Sequence, residues 1–212
     1  MRSLKKPPRS LRLSSEDTQN SSGELVKWAS TAATRAFRLR LTLWALRSQK
    51  RCCAYCSLPV GRAERRSSAL DHFVSKGGPN GVPRWTYEPY NLVLACESCN
   101  GKFKTNKSVL ASPASEPYRK NRFRLFHPYL DRVEDHIRGG YRGGAHTPST
   151  PVPWSDRGRA TVELFDLLDP NLRRVWDSES QRAKDNKRRR DLSPAEMARF
   201  EAALAELRGQ NR

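Results

Sequence analysis

The sequence predicts an α+β fold in which two short strands and one helix form a small core between N- and C-terminal helices. Two Cys-x-x-Cys pairs, at 53/56 and 96/99, bracket a central segment. This segment contains the apolar runs "ALDHFV" and "YNLVLA", separated by the Gly- and Pro-rich "KGGPNGVPRW", a pattern typical of two strands around a loop. A helix is expected to begin near Asn100, and apolar residues at helical spacing occur on both sides of the segment.

The N-terminal part divides into an arm and a helix. Residues 1–23 are rich in Ser, Pro and basic residues, and we expect a basic, irregular arm there. In residues 24–51 apolar residues recur in steps of three or four, which predicts one long amphipathic helix that ends before Cys52. Its predicted apolar face contains Leu25, Trp28, Ala32, Ala36, Leu39, Leu43 and Leu46.

The chain from residue 52 onward is predicted to contain the core and an extension. Residues 52–110 hold the core, and residues 111–212 form a mostly helical C-terminal extension. Within the extension, the Gly- and Pro-rich residues 139–158 predict a long loop without regular structure. The following "RATVELFDLL" predicts a strand or a short helix.

Two helix starts are predicted in the C-terminal extension. Asp169 and Pro170 are an N-cap and first-position pair. Ser193 and Glu196 have the spacing of a capping box, and the helix that follows would present Met197, Phe200, Leu204 and Leu207 on one face.

The charge of the chain is strongly positive and indicates a polyanionic partner. Forty Lys and Arg residues against 22 Asp and Glu give a net charge of +18. Such an excess repels itself unless a polyanion binds across it, so nucleic acid is the expected partner. We also expect no membrane span and a cytoplasmic location, since the N-terminus lacks the apolar stretch of an export signal.

The four cysteines of the two pairs predict a structural zinc site. Cys53, Cys56, Cys96 and Cys99 form an all-thiolate set of the kind that holds Zn²⁺. A redox dithiol needs one pair rather than two. Cys52 is the fifth cysteine, and the sequence leaves open that it replaces Cys53, although only Cys53 gives the two-residue gap.

Polar residues in and just after the bracketed segment are candidates for a second site. Asp71 directly precedes His72, Asn91 opens the second apolar run, and Asn100 follows the last cysteine. Oxygens of Asp71 and Asn100 are suited to a hard cation such as Mg²⁺ or Mn²⁺. Taken singly, an Asp-His pair is most often structural and an Asn after Cys is commonly a cap. Their combination between two zinc-type knuckles in a basic chain favours a catalytic site.

These motifs resemble the zinc-stapled HNH endonucleases, which have the ββα-metal fold. "LDHFVSKGG", "YNLVLACESCNGKFK" and "CAYC" carry the resemblance over about residues 52–107. It implies that His72 is a general base that activates water, that Asp71 and Asn100 bind a catalytic divalent metal, and that Asn91 shapes the loop that aims His72. The chain departs from the family pattern in having Asn100 at the last signature position, and Phe103 where a lysine is usual.

The wider chain is similar, through looser features, to the HNH nuclease subunits of Septu and retron-linked phage-defence systems. The matching features are "MRSLKKPP", the helix before "CAYC", "FHPYLDRVEDHI" and "TVELFDLLDPNLRRVW". This similarity implies an antiviral effector that acts with a separate ATPase subunit. The chain lacks a Walker loop and could not supply that activity itself.

The function expected from these patterns is metal-dependent hydrolysis of phosphodiester bonds, with DNA as the expected substrate. Four lysines are expected to contact the phosphate backbone, and such contacts carry no sequence information. They are Lys76, Lys102, Lys104 and Lys107. The alternative is a noncatalytic zinc module that binds nucleic acid as an adaptor.

Overall fold

The fold is mixed α+β in the computed structural model, which describes residues 3–14, 31–60, 68–190, 193, 195, 196, 198 and 199. Three α-helices, one π-helix and two separate two-stranded sheets are present in these residues. In chain order they are α1 (Ala32–Ser48), β1 (Ser68–His72), β2 (Leu92–Cys96), the π-helix (Ser98–Lys104), β3 (Ile137–Gly140), β4 (Ser149–Pro153), α2 (Asp156–Leu164) and α3 (Pro170–Arg190). None of the described helices is long and apolar enough to cross a membrane.

Helix α1 begins at a capping box and ends before the first cysteine pair. The backbone N–H of Thr34 donates to the hydroxyl of Thr31, and the N–H of Thr31 donates to the hydroxyl of Thr34. This exchange satisfies donors that the first turn of a helix leaves without a partner. The predicted helix over 24–51 is therefore confirmed for its central part, and residues 24–30 lie outside the described residues.

The predicted apolar face of α1 is not the face that enters the core. Thr34, Phe37, Leu41 and Ala45 are the buried residues of this helix. On the predicted face, Leu39 is 61% exposed, and Ala32, Ala36 and Leu43 are also exposed. The helix carries apolar residues on more than one side, and the side that contains Phe37 and Leu41 is the one that is buried. Leu25 and Trp28 lie outside the described residues.

The two predicted core strands are present and form an antiparallel hairpin. The register pairs Ser68 with Cys96 and His72 with Leu92. All five residues of β2 are buried, which explains why this strand has an unbroken apolar sequence rather than an alternating one. The π-helix starts two residues after β2 ends, so the predicted helix begins at Ser98 rather than near Asn100.

The prediction of an irregular loop over residues 139–158 is wrong. Strand β3 pairs with β4, with an irregularity between Arg138 and Gly140. Gly139 has a φ of +73° at this point, a backbone conformation that glycine adopts without steric cost. The glycines and prolines of this segment therefore build a short bulged hairpin, and helix α2 follows it directly.

The C-terminal extension packs against the first cysteine pair. Helix α3 begins at Pro170 as predicted, and the Asp169 side chain accepts from the backbone N–H of Asn171. Trp176 on this helix is fully buried and donates its indole N–H to the carbonyl of Cys56 at 2.9 Å. The capping contacts between Ser193 and Glu196 are also present. Met197, Phe200, Leu204 and Leu207 lie outside the described residues.

The N-terminal arm contacts the core through its described part, residues 3–14. Leu4 and Leu11 are buried, and the N–H of Leu4 donates to the carbonyl of Pro128. A single 3-10 turn, Arg9–Leu11, is the only helical or strand element of this part. The irregular backbone predicted for the arm is confirmed over these residues.

Candidate metal centre and catalytic cleft

The four predicted zinc ligands form one buried cluster. The Sγ atoms of Cys53, Cys56, Cys96 and Cys99 all lie within 4.8 Å of one another. Cys52 is outside this cluster, with its thiol directed to the carbonyl of Lys50 at 3.4 Å. Four thiolates in such a space are a set that binds Zn²⁺, so the donors fit this metal and Cys53, not Cys52, completes the set.

Backbone hydrogen bonds shape the first knuckle and join it to β2. The N–H of Cys53 donates to the carbonyl of Leu58, and the N–H of Ala54 donates to the carbonyl of Leu94. The buried side chain of Gln49 adds two bonds with the backbone of Leu94. These contacts place the cysteine pair at 53/56 beside the pair at 96/99.

A cleft of about 450 Å³ is lined by three of the four predicted catalytic residues, and none of the four clustered cysteines lines it. Asp71 and His72 reach it from the end of β1, and Asn100 reaches it from the π-helix. Neighbouring side chains on a regular strand point to opposite faces. Asp71 and His72 line the same cleft because β1 ends at His72.

The ring of His72 is held in one tautomer. Its Nε2 lies 3.0 Å from the carbonyl oxygen of Thr86. A carbonyl only accepts hydrogen bonds, so Nε2 carries the proton and Nδ1 bears the lone pair of the ring. Burial lowers the pKa of His72 to about 4, against the raising effect of the Thr86 carbonyl. The imidazole is therefore neutral near pH 7.

The carboxylate of Asp71 is buried between two donors. The hydroxyl of Tyr55 donates to Oδ2 at 2.5 Å, and Nζ of Lys104 lies 3.0 Å from Oδ1. Burial raises the pKa of Asp71, while the charge of Lys104 and the Tyr55 hydrogen bond act in the opposite direction.

The Asn91 side chain makes four hydrogen bonds, three with the loop between the two core strands and one with Tyr118 in the C-terminal extension. Its Oδ1 accepts from the N–H of Val74 and from the hydroxyl of Tyr118, and its Nδ2 donates to the carbonyls of Val74 and Trp85. The side chain is fully buried. Since Thr86 follows Trp85, these bonds also hold the carbonyl that orients His72.

Asn100 is located in the first part of the π-helix and has a partly exposed side chain. Its backbone carbonyl accepts from the N–H of Thr105 at 2.9 Å, an i to i+5 bond. A π turn advances a smaller angle per residue than an α turn. Lys104, the fourth residue after Asn100, therefore faces nearly the same side of the helix as Asn100 and lines the same cleft, whereas Phe103 packs against the core.

The four predicted phosphate-contacting lysines do not share one environment. Lys76 lines the cleft, and Lys107 is exposed. Lys102 is exposed and lies over the ring of Phe103, 5.2 Å from its centroid. Lys104 differs from the prediction because its side chain is only 1% exposed and is paired with Asp71.

Tyr55, Thr86 and Tyr118 contact the candidate site and were not singled out by the sequence patterns. The sequence provides a weak indication for Tyr55, since it is a polar aromatic residue inside a cysteine knuckle. It provides no indication for Thr86 or Tyr118, because their contacts with the site depend on how the chain folds around it. Tyr118 is further held by Nε2 of His127 at 3.0 Å, which gives His127 a structural role.

Comparisons of the chain with protein-family models, curated proteins and solved structures found no match.

Proposed function

We propose that the protein is a metal-dependent endonuclease of the HNH type that hydrolyses phosphodiester bonds in DNA. The observation that carries the proposal is the convergence of Asp71, His72 and Asn100 on one cleft. These are the residue types that the reaction needs, namely a base near the scissile bond and oxygen donors for a hard cation.

His72 serves as the general base in this proposal. Nε2 is committed to the Thr86 carbonyl, so Nδ1 is the ring atom that would accept a proton from a water molecule in this role. The low pKa of the buried ring keeps it unprotonated at neutral pH, although a base with a low pKa is also a weaker proton acceptor. Asn91 acts as a positioning residue, since three of its side-chain hydrogen bonds hold the loop on which Thr86 lies.

Asp71 and Asn100 would hold the catalytic cation. A bound Mg²⁺ or Mn²⁺ would offset the negative charge that develops on the phosphoryl and leaving oxygens. The carboxylate oxygens of Asp71 and the amide oxygen of Asn100 are the hard donors that these cations prefer. The zinc site formed by the four cysteines has no open position and would only join the hairpin to the π-helix.

The basic surface around the cleft would bind the phosphate backbone. Lys76 lines the cleft, and Lys102 and Lys107 lie on or just after the π-helix with exposed side chains. Contacts to phosphate position the substrate without reading its sequence. We therefore expect little sequence preference from this core. The proposal of an antiviral effector that acts with an ATPase subunit rests on the resemblance to defence nucleases alone.

The first prediction concerns His72. His72→Ala removes the base, and cleavage of plasmid DNA with Mg²⁺ or Mn²⁺ should fall by about 10²-fold or more, as measured by gel electrophoresis of nicked and linear products. Zinc content, measured by plasma mass spectrometry, should stay at the wild-type value. His146→Ala, which changes an exposed histidine away from the cleft, is the matched control. Retained cutting by a well-purified His72→Ala protein would refute the role of His72.

A noncatalytic nucleic-acid adaptor is the second candidate function. One observation favours it: both carboxylate oxygens of Asp71 already have donors, as in a purely structural ion pair. In that case added Mg²⁺ or Mn²⁺ would produce no nicks, with or without the partner ATPase. Asn100→Ala, which changes a partly exposed side chain, would then leave nucleic-acid binding unchanged.

A further inference from the structure

Tyr55 connects the first zinc knuckle to the candidate metal ligand Asp71. It lies between Cys53 and Cys56, and its hydroxyl donates to Oδ2 of Asp71 at 2.5 Å. Strand β1 and the knuckle are separated in sequence by residues 57–67, so this contact is a tertiary one. It is a direct hydrogen bond from this knuckle to a side chain of the cleft.

The position of the Tyr55 hydroxyl is determined by its surroundings. The ring is 1% exposed and is stacked on Phe165, with centroids 4.2 Å apart and planes 14° apart. The two cysteines around it belong to the metal cluster. A ring held in this way has little rotamer freedom, so its hydroxyl approaches Asp71 from one fixed direction.

The π-helix that begins within the second knuckle supplies the other donor to the same carboxylate. Lys104 ends this helix, which contains Cys99, and its Nζ lies 3.0 Å from Oδ1 of Asp71. The first knuckle and this π-helix therefore each contribute one donor to one carboxylate oxygen. A carboxylate has about four lone-pair positions, so two donors leave others for a cation that enters from the cleft.

We propose that Tyr55 is a positioning residue that transmits the geometry of the zinc site to Asp71 and thereby sets the affinity of the cleft for a divalent cation. This inference rests on the proposed function, because it assumes that Asp71 binds a metal. Outer residues that orient a ligand commonly change metal affinity by about 10- to 100-fold when they are removed. Tyr55 would act in this way across two metal sites.

The test uses Tyr55→Phe, which keeps the ring and its stacking on Phe165 and removes only the hydroxyl. The probe is Mn²⁺, whose free concentration is measured by electron paramagnetic resonance in a titration of the purified, zinc-loaded protein. We expect the Kd for Mn²⁺ to rise about 10- to 100-fold, with the zinc content unchanged.

Tyr141→Phe is the matched control. Tyr141 is also fully buried, contacts the aromatic ring of Trp176 and donates its hydroxyl to a backbone carbonyl, that of Gly144. It does not line the cleft. Tyr141→Phe should therefore lose about as much stability as Tyr55→Phe, because both lose a buried hydroxyl. The Kd of Tyr141→Phe for Mn²⁺ should stay at the wild-type value.

The outcomes separate this inference from the proposed function. If wild-type protein binds Mn²⁺ and Tyr55→Phe binds it within twofold of wild type, the role of Tyr55 is refuted while the proposed function stands. If wild-type protein binds no Mn²⁺, the metal site of the proposed function is refuted, and this inference with it.

A second measurement applies where Tyr55→Phe does not fold. Coupling between two sites is reciprocal, so a cation in the cleft should help to retain zinc in the wild-type protein. Extraction of zinc by a zinc-selective chelator should then require more chelator with Mg²⁺ than with NaCl of the same ionic strength. An equal chelator requirement in both salts would overturn the inference.

Discussion

Lys104 and Asp71 form a buried ion pair at the point where the candidate site is most enclosed. Their side chains are 1% and 4% exposed. Moving two charges out of water is costly, and the cost is offset only while both partners are present. Neither residue can therefore be changed alone without leaving a buried charge. Lys104 was predicted to contact phosphate. Its side chain is instead buried, and its ammonium group pairs with the carboxylate of Asp71.

The stability of the fold should depend on this pair. Lys104→Met keeps the length of the side chain and removes its charge, which leaves Asp71 without its cation. We expect the free energy of unfolding to fall by about 3–5 kcal/mol, measured by urea denaturation at pH 7 with zinc retained.

Lys107→Met is the control for this change, because Lys107 lies three residues away and is exposed. Its free energy of unfolding should stay close to that of wild type. A drop of less than about 1 kcal/mol for Lys104→Met would show that the Asp71 carboxylate does not depend on this ion pair.

At the scale of elements, helix α2 lies against the second hairpin at a distance that only glycine permits. A Cβ added at Gly158 would lie 2.1 Å from the carbonyl oxygen of His136, which directly precedes β3. The obstacle is backbone, which cannot move aside as a flexible side chain can. The side chain of Ser155 caps this helix by accepting a hydrogen bond from the N–H of Gly158. A Cβ at Gly158 would therefore force the first turn of α2 to shift.

Gly158→Ala should therefore separate α2 from the hairpin. Overpacking of this kind costs about 1–3 kcal/mol, and thermal unfolding followed by circular dichroism should show a lower Tm. Gly101→Ala is the matched control, since a Cβ there meets nothing within 4 Å. It should leave Tm unchanged or slightly higher because alanine favours helix over glycine. Equal Tm values for both variants would contradict the close contact.

At the scale of the whole molecule, the net charge of +18 predicts salt-dependent binding to a polyanion such as DNA. Lysines and arginines that neutralise phosphates release counterions from DNA, so binding weakens as salt rises. This term acts on any duplex and does not depend on the catalytic residues. It therefore distinguishes a nucleic-acid-binding protein from one that is basic for other reasons.

Binding of a fluorescent DNA duplex should thus fall steeply with salt. With six to ten phosphate contacts, affinity should drop by about 10³- to 10⁵-fold between about 50 and 200 mM salt, measured by fluorescence anisotropy without divalent cations. Lys76→Ala should reduce the slope of log K against log salt by about 0.9, equally for unrelated DNA sequences. A slope near zero for the wild-type protein would exclude DNA as its electrostatic partner.

Short-range patterns predicted a substantial part of this fold. The two-residue gaps of the cysteine pairs predicted the ligand set, and the apolar runs predicted β1 and β2. The Asp169–Pro170 pair predicted the start of α3. Each of these patterns involves residues within a few positions of one another. Local backbone preferences and spacing are therefore sufficient to determine the structure that it predicts.

Contacts between distant segments decided the rest. The apolar spacing of α1 allows more than one side of the helix to face the core, and packing decides which side is buried. The glycines and prolines around β3 and β4 are compatible with a loop or with a hairpin, and contacts with other segments decide between them. The same holds for the burial of Lys104 and for the bond between Tyr55 and Asp71. The sequence by itself determined which residues could bind metal, whereas only the tertiary structure decided which side chains surround them, because those contacts join segments far apart in the chain.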